Sequence, residues 1–316
     1  MQTAYLIFAL CSGALCAFLG TLRAEDRRLP CLALLLGGLL GVLCARLTYF
    51  IFQLGGMLAE GWLHALFSAS DTYWSFWGGC AGGVLGLVLS CRLLKAPAAP
   101  SLNTAAPWLA LLSALLRGGF WLLTDAMERL GEALEEPIPL LTVQNAWGEN
   151  YLVLFTIEAL CCLLAFAFSL RAPEENRFLR TALALSLPQV FLSLLRGDSY
   201  YLWFFLNVEH LLWALTVLGM LIFCGVRRRF ADHPWRPLWV AVGCFTVVGI
   251  CEYLLDKYDT LISRIFPDYY AGAYEAAGMA DKLPRLFYLL IIAALLALGW
   301  TVHAAFRKSE KRTARS

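Results

Sequence analysis

The sequence predicts an all-α integral membrane protein built as a polytopic helical bundle, and three observations carry that prediction. Hydrophobic residues make up 60 % of the chain and charged residues only 15 %, with a mean hydropathy of +0.67. A soluble domain carries about 45–50 % apolar and about 25 % charged residues. The apolar residues fall in runs of roughly the 17–25 that a helix needs to cross the hydrocarbon. Lys and Arg then gather in alternate connections between those runs. The 316 residues read as one multi-span bundle rather than a string of soluble domains.

The first span lies near residues 2–20. Its start, MQTAYLIFALC, has no basic n-region and no small-residue cleavage site, which predicts a retained helix rather than a signal peptide. The second and third spans, near 30–52 and 75–94, contain LGGLLGVLCARL and GGCAGGVLG. Small faces at i, i+4 spacing predict close helix packing of the small-xxx-small kind, and they also let a lipid approach the backbone. Four more spans follow near 105–125, 151–170, 178–197 and 205–226, the last ending at the basic stop Arg227-Arg228-Arg229. After a hydrophilic turn with Pro234 and Pro237, two spans near 237–255 and 285–306 complete nine. Residues 1–225 thus form a seven-span unit, and 226–316 add two helices and a basic tail. Residues 52–74 leave room for a short surface helix. The connections 126–150 and 256–284 are the long ones, the first acidic, the second aromatic and charged.

Charge bias orients the bundle. Segments 21–29, 92–104, 171–180, 226–236 and 307–316 hold 17 of the 25 Lys and Arg. The opposite connections hold only Arg129, Lys257, Arg264, Lys282 and Arg285. The expectation is an outward N-terminus and a cytoplasmic tail RKSEKRTARS. Eleven cysteines include no CxxC pair, and the Cys161-Cys162 doublet reads as apolar packing. No metal, no cofactor and no nucleic-acid partner are expected.

Three arginines remain, sunk in apolar stretches: Arg46 in CARLTYF, Arg117 in LLRGGFW and Arg196 in SLLRGDSYY. An arginine at bilayer depth costs at least ~2.5–3.5 kcal/mol on insertion scales, so it needs a partner or an anionic ligand. Two kinds of partner are at hand. Asp125 follows Arg117 by eight residues, about two helical turns along one face if the helix continues, and Asp198 follows Arg196 by two. Glu158 interrupts the fifth span, and Glu209-His210 open the seventh. For each residue alone, an interhelical salt bridge or snorkelling is a sufficient reading. Several arginines opening toward one leaflet also make a site for phosphate or carboxylate.

Over about residues 1–225 these patterns resemble the bacterial prolipoprotein diacylglyceryl transferases. Cys44-Ala45-Arg46-Leu47-Thr48-Tyr49 matches a GARLGY-like stretch of the family's second span. Ser75-Phe76-Trp77-Gly78-Gly79 matches SFHGG at its third. The signature G-R-x-G-N-F-x-N-x-E, aligned without gaps, falls on Arg117, Gly119, Trp121 and Asp125 at its Arg, Gly, Phe and Glu. Ile157-Glu158 corresponds to a Tyr-Glu pair in the fifth span, and Ser193 through Asp198 to an E-F-F-R-x-D-like segment. A Gln opening the family's seventh helix falls near His210. The departures are Trp77 for the histidine, Phe120 and Leu123 for the asparagines, Ile157 for the tyrosine and Ser193 for the glutamate.

The resemblance implies a seven-helix transferase-like core in a bacterial plasma membrane. It implies transfer of diacylglyceryl from phosphatidylglycerol, or another anionic phospholipid, to the thiol of a prolipoprotein lipobox cysteine. It places Arg117, Arg196, Glu158 and His210 in the catalytic group, with both arginines on the phosphate. Around the substrate it places Arg46, Tyr49, Ser75, Gly78, Gly79, Gly119, Asp125 and Asp198. With Trp77 in the histidine position the base comes from elsewhere, and of His64, His210, His233 and His303 the candidate is His210 beside Glu209. Two alternatives stay open: a catalytically inactive relative that binds lipid or lipoprotein, and a small transporter whose arginines line an anion path.

Overall fold

The computed structural model describes residues 2–24, 26–60, 74–122, 130–131, 133–134, 137–139, 141–145, 148–195, 202–203, 206–227, 230, 233–257 and 282–313. Among these, nine helices are long and apolar enough to cross a membrane. Large apolar side chains such as Leu10, Leu35, Leu39, Leu164 and Trp300 lie exposed along them. In water such surfaces would be unfavourable; against lipid tails they are not. The protein is a helical membrane protein.

The first compact unit, Met1–Tyr201, holds α1 (Gln2–Thr21), α2 (Arg28–Glu60), α3 (Phe76–Leu93), α4 (Ala98–Gly118), α5 (Leu154–Arg171) and α6 (Arg177–Leu192). α2 runs past the expected end at 52 because nothing before Glu60 stops it, neither proline nor charge. α4 begins earlier than expected, directly after Pro97, with Pro100 in the first turn where a missing N–H costs nothing. It ends at Gly118 in a 3₁₀ turn, Gly119–Leu122, rather than running on to residue 125.

The closest packing in this unit joins α2 to α3. A methyl group at Gly82 would meet the Leu40 carbonyl, and one at Gly86 would meet the Gly37 backbone. One at Gly78 would lie 2.6 Å from the Cys44 carbonyl oxygen. The glycine runs therefore serve backbone-to-backbone contact, as the small-xxx-small pattern predicts. α4 packs on α1, α5 and α6.

The acidic connection after α4 contains a small antiparallel sheet that the sequence analysis did not anticipate. β1 (Ala133–Leu134) and β2 (Thr142–Gln144) both pair with β3 (Asn150–Leu152), Val143 opposite Tyr151. Its apolar face joins Val143 and Tyr151 to a cluster of Phe120, Leu130, Val153 and Phe155. The sheet thus covers the end of α4 and the start of α5.

The second unit, Leu202–Ser316, opens with a two-strand ribbon, β4 (Leu202–Trp203) and β5 (Leu206–Asn207). α7 (Val208–Val226), α8 (Arg236–Asp256) and α9 (Lys282–Thr313) follow. α8 packs extensively on α9 and also touches α7 and β5. The division by contacts falls at residue 201, so α7 groups with the two helices that follow it.

Candidate functional site

The start of α3 organises the site. Ser75 caps the helix: its Oγ accepts a hydrogen bond from the Gly78 N–H at 3.1 Å, and its own N–H donates to the Ala45 carbonyl of α2 at 3.2 Å. Ser75 is buried, as are Arg46 and Tyr49 on α2. Gly78 is required because Cys44, Ala45 and the Thr48 hydroxyl occupy the space of a side chain; Gly79 has only the Ala45 methyl at 3.9 Å.

Two guanidinium groups stack on aromatic rings flanking that cap. Arg46 Cζ lies 5.1 Å from the Trp74 ring centroid, and Arg117 Cζ lies 3.9 Å from that of Phe76. Arg117 is also 5.3 Å from the Phe120 ring. Cation–π contacts of this kind gain strength when the cation is desolvated. Arg117, in the last turn of α4, is 5 % exposed.

Its ionic partner is Glu158 on α5, with Arg117 Nε 3.0 Å from Oε2. The short distance holds the charges together, yet no N–H of Nε or Nη2 is aligned on an acceptor among the described residues. The ion pair is therefore present and its hydrogen bonding incomplete. Nε and Nη2 form one edge of the guanidinium fork, and that edge is the one beside Glu158.

Surrounding residues hold this arrangement. Tyr5 on α1 donates to the Leu116 carbonyl at 3.4 Å, and a side chain at Gly119 would strike the Phe8 ring at 2.6 Å. Trp121 donates from Nε1 to Thr156 Oγ1 at 2.9 Å. In the sheet above, Tyr151 donates to Glu149 Oε2 at 2.9 Å, which raises the phenol above its usual pKa.

The first unit thus links Arg46, Ser75, Gly78, Arg117 and Glu158 through contacts around the start of α3, with Gly79 in its first turn; Tyr49 is buried on α2, and Gly119 packs against Phe8 after the end of α4. Asp125, Arg196 and Asp198 lie outside the described residues, as do His64 and Leu123. Trp77 is half-buried, and Ser193 is buried with its Oγ donating to the Val190 carbonyl at 3.2 Å. Neither a protein-family model nor a curated protein matches this sequence.

His210 belongs to the second unit, on the first turn of α7, whose cap is Asn207 accepting from the Glu209 N–H at 2.9 Å. Its Nε2 lies 3.5 Å from Glu252 Oε2 on α8, and both side chains are buried. Sequence reasoning overlooked Glu252. The rule that singled out the deep arginines, a charge inside an apolar span, finds it equally well. Arg180, counted above among loop charges, sits in the first turn of α6 and is buried. Phe76 is the other residue missed; an aromatic in an apolar stretch carries no signal that a cation will stack on it.

Proposed function

We propose that this protein binds the anionic head group of a phospholipid beside Arg117 and is a divergent relative of the prolipoprotein diacylglyceryl transferases. The observation that carries the reading is Arg117 itself. Its guanidinium is more than nine-tenths buried, lies 3.9 Å from the Phe76 ring centroid and 5.3 Å from that of Phe120, and is paired with one carboxylate while Nη2 has no acceptor among the described residues. A phosphate oxygen supplies that acceptor and the missing negative charge. The cap of α3, with backbone N–H groups and the positive end of the helix dipole, adds to the local preference for an anion.

In the reaction proposed, the thiolate sulfur of a lipobox cysteine attacks the glyceryl carbon that bears the phosphate. A carbon–sulfur bond forms, the carbon–oxygen bond breaks, and glycerol phosphate leaves with the electron pair. The thiol proton passes to a base, for which His210 is the proposed residue on the sequence argument. Arg117 and Arg196 stabilise the departing phosphate. The proposed setting is a seven-span core with two added helices in a bacterial plasma membrane, N-terminus outside and tail in the cytoplasm. The Lys and Arg bias supports that orientation.

Phosphatidylglycerol binding tests the head-group site. Arg117→Ala and Arg196→Ala are each expected to weaken it about tenfold to a hundredfold, since a charged hydrogen bond is worth ~1.5–3 kcal/mol. Unchanged binding in both variants would leave only the salt-bridge role. Trp77→His alone is expected to give no large gain in transfer over the natural chain, because Phe120 and Leu123 still replace the signature asparagines. A large gain in turnover from that single change would show that the rest of the catalytic group is complete. The missing polar residues are the observation behind a second reading, a lipid-binding relative without transfer chemistry.

A further inference from the structure

Residues 226–240 and 303–316 carry nine Lys and Arg against two acids, Asp232 and Glu310. Both segments come to one end of the second unit, where the buried Phe230 and Phe306 rings meet edge to face with centroids 5.1 Å apart. α8 begins at the same end. Its N-cap, Trp235, lies against the last turn of α7, since a methyl group at Gly225 would meet the indole at 2.9 Å. The Trp235 carbonyl accepts from the Trp239 N–H at 3.1 Å. The two indoles therefore stand one turn apart along the helix, 43 % and 71 % exposed. With His233, Pro234, Arg236 and Val240 they line a cleft of about 590 Å³.

The charge at this cleft is uncompensated. The side chains of His233 and Arg236 are exposed, and among the described residues neither makes an ionic, hydrogen-bonding or ring contact. The first turn of α8 contains no acid. The lining also changes along the helix, from the basic His233 and Arg236 at the connection to Trp239 and Val240 inside an apolar, membrane-length span. A soluble anion would use only the basic end, and a zwitterionic lipid brings no net negative charge to it. An amphiphile with an anionic head matches both ends, with indoles at the depth where head group and chains join. We propose that the cleft at the start of α8 binds an anionic phospholipid from the leaflet on the side of the basic tail. Its phosphate sits against Arg236 and His233, and its glycerol ester region against Trp235 and Trp239. Arg227, Arg307 and Lys308, at the same end of the unit, add to the attracting potential. This site belongs to the second unit and does not depend on the reading of Arg117, which lies in the first.

The test places the full chain in phosphatidylcholine nanodiscs containing a small fraction of phosphatidylglycerol with a photoactivatable diazirine near the head of one chain. Mass spectrometry locates the crosslinks, so label on residues 233–240 is counted apart from label on α4. Unlabelled phosphatidylglycerol is expected to displace the label from 233–240. Excess phosphatidylcholine, and excess glycerol phosphate (the same anion without chains), are expected to leave it in place. Arg236→Gln is expected to weaken the apparent affinity at 233–240 about fivefold, the effect of one basic side chain at a membrane surface, and Arg236→Lys to retain most of it. The side chain is exposed, so neither change disturbs the core. Displacement by phosphatidylcholine as readily as by phosphatidylglycerol, or an unchanged affinity in Arg236→Gln, would mean ordinary boundary lipid and overturn the proposal. Displacement by glycerol phosphate would overturn it in favour of a soluble-anion site.

Discussion

Arg117→Ala is expected to cost about 3–5 kcal/mol of stability, because it leaves Glu158 buried without its cation. The two side chains are 6 % and 3 % exposed and 3.0 Å apart. Thermal or denaturant unfolding in a fixed detergent measures the loss. Replacing both partners by apolar residues of similar size, as in Arg117→Met with Glu158→Leu, is expected to restore the stability or raise it by about 1–4 kcal/mol, since neither charge then has to be desolvated. Phosphatidylglycerol binding should not return with it. A stable double variant that has lost the lipid separates the two roles of Arg117. If Arg117→Ala unfolds like the natural chain, the ion pair contributes nothing; if the double variant still binds lipid, the arginine is purely structural.

The second large effect is at the α2–α3 interface. In an exposed helix, Gly→Ala gains about 1 kcal/mol from propensity. At Gly86 the sign reverses, because the added methyl meets the Gly37 backbone, which has no rotamer to yield. Gly86→Ala is expected to lose about 1–3 kcal/mol as an overpacked contact, and Gly86→Leu to prevent α2 and α3 from closing. Gly82, against the Leu40 carbonyl, should behave likewise. Gly83, with nothing within 4 Å of its added methyl, is the control. Gly83→Ala should be neutral or slightly stabilising. Equal unfolding temperatures for the Gly83 and Gly86 variants would contradict the packing. The same displacement would shift Ser75 and Phe76 at the start of α3, so lipid binding should weaken along with stability.

Helix positions were legible in the sequence because the bilayer imposes one length and one composition on every span. The ends were less so. α2 overran and α4 began early, since an apolar run continues as helix beyond the hydrocarbon unless a proline or turn stops it. The strands around Val143 and Tyr151 were not legible: two or three residues are too few to display a period of two. The deep arginines stood out by their cost, and Arg46 and Arg117 do lie at one place, around the cap of α3. Their partners did not stand out. Arg117 pairs with Glu158, 41 positions away in sequence, a contact no local spacing encodes, and His210 finds Glu252 on a helix that the motif comparison left without a role.

The most direct measurement of the central claim is a transfer assay on the purified protein in phosphatidylglycerol-containing micelles. A lipobox peptide serves as acceptor, and mass spectrometry reads the mass of its cysteine. The account predicts a diacylglyceryl adduct that disappears in Arg117→Ala. No adduct, beside a family enzyme that modifies the same peptide in the same micelles, would contradict transferase activity and leave a lipid-binding membrane protein.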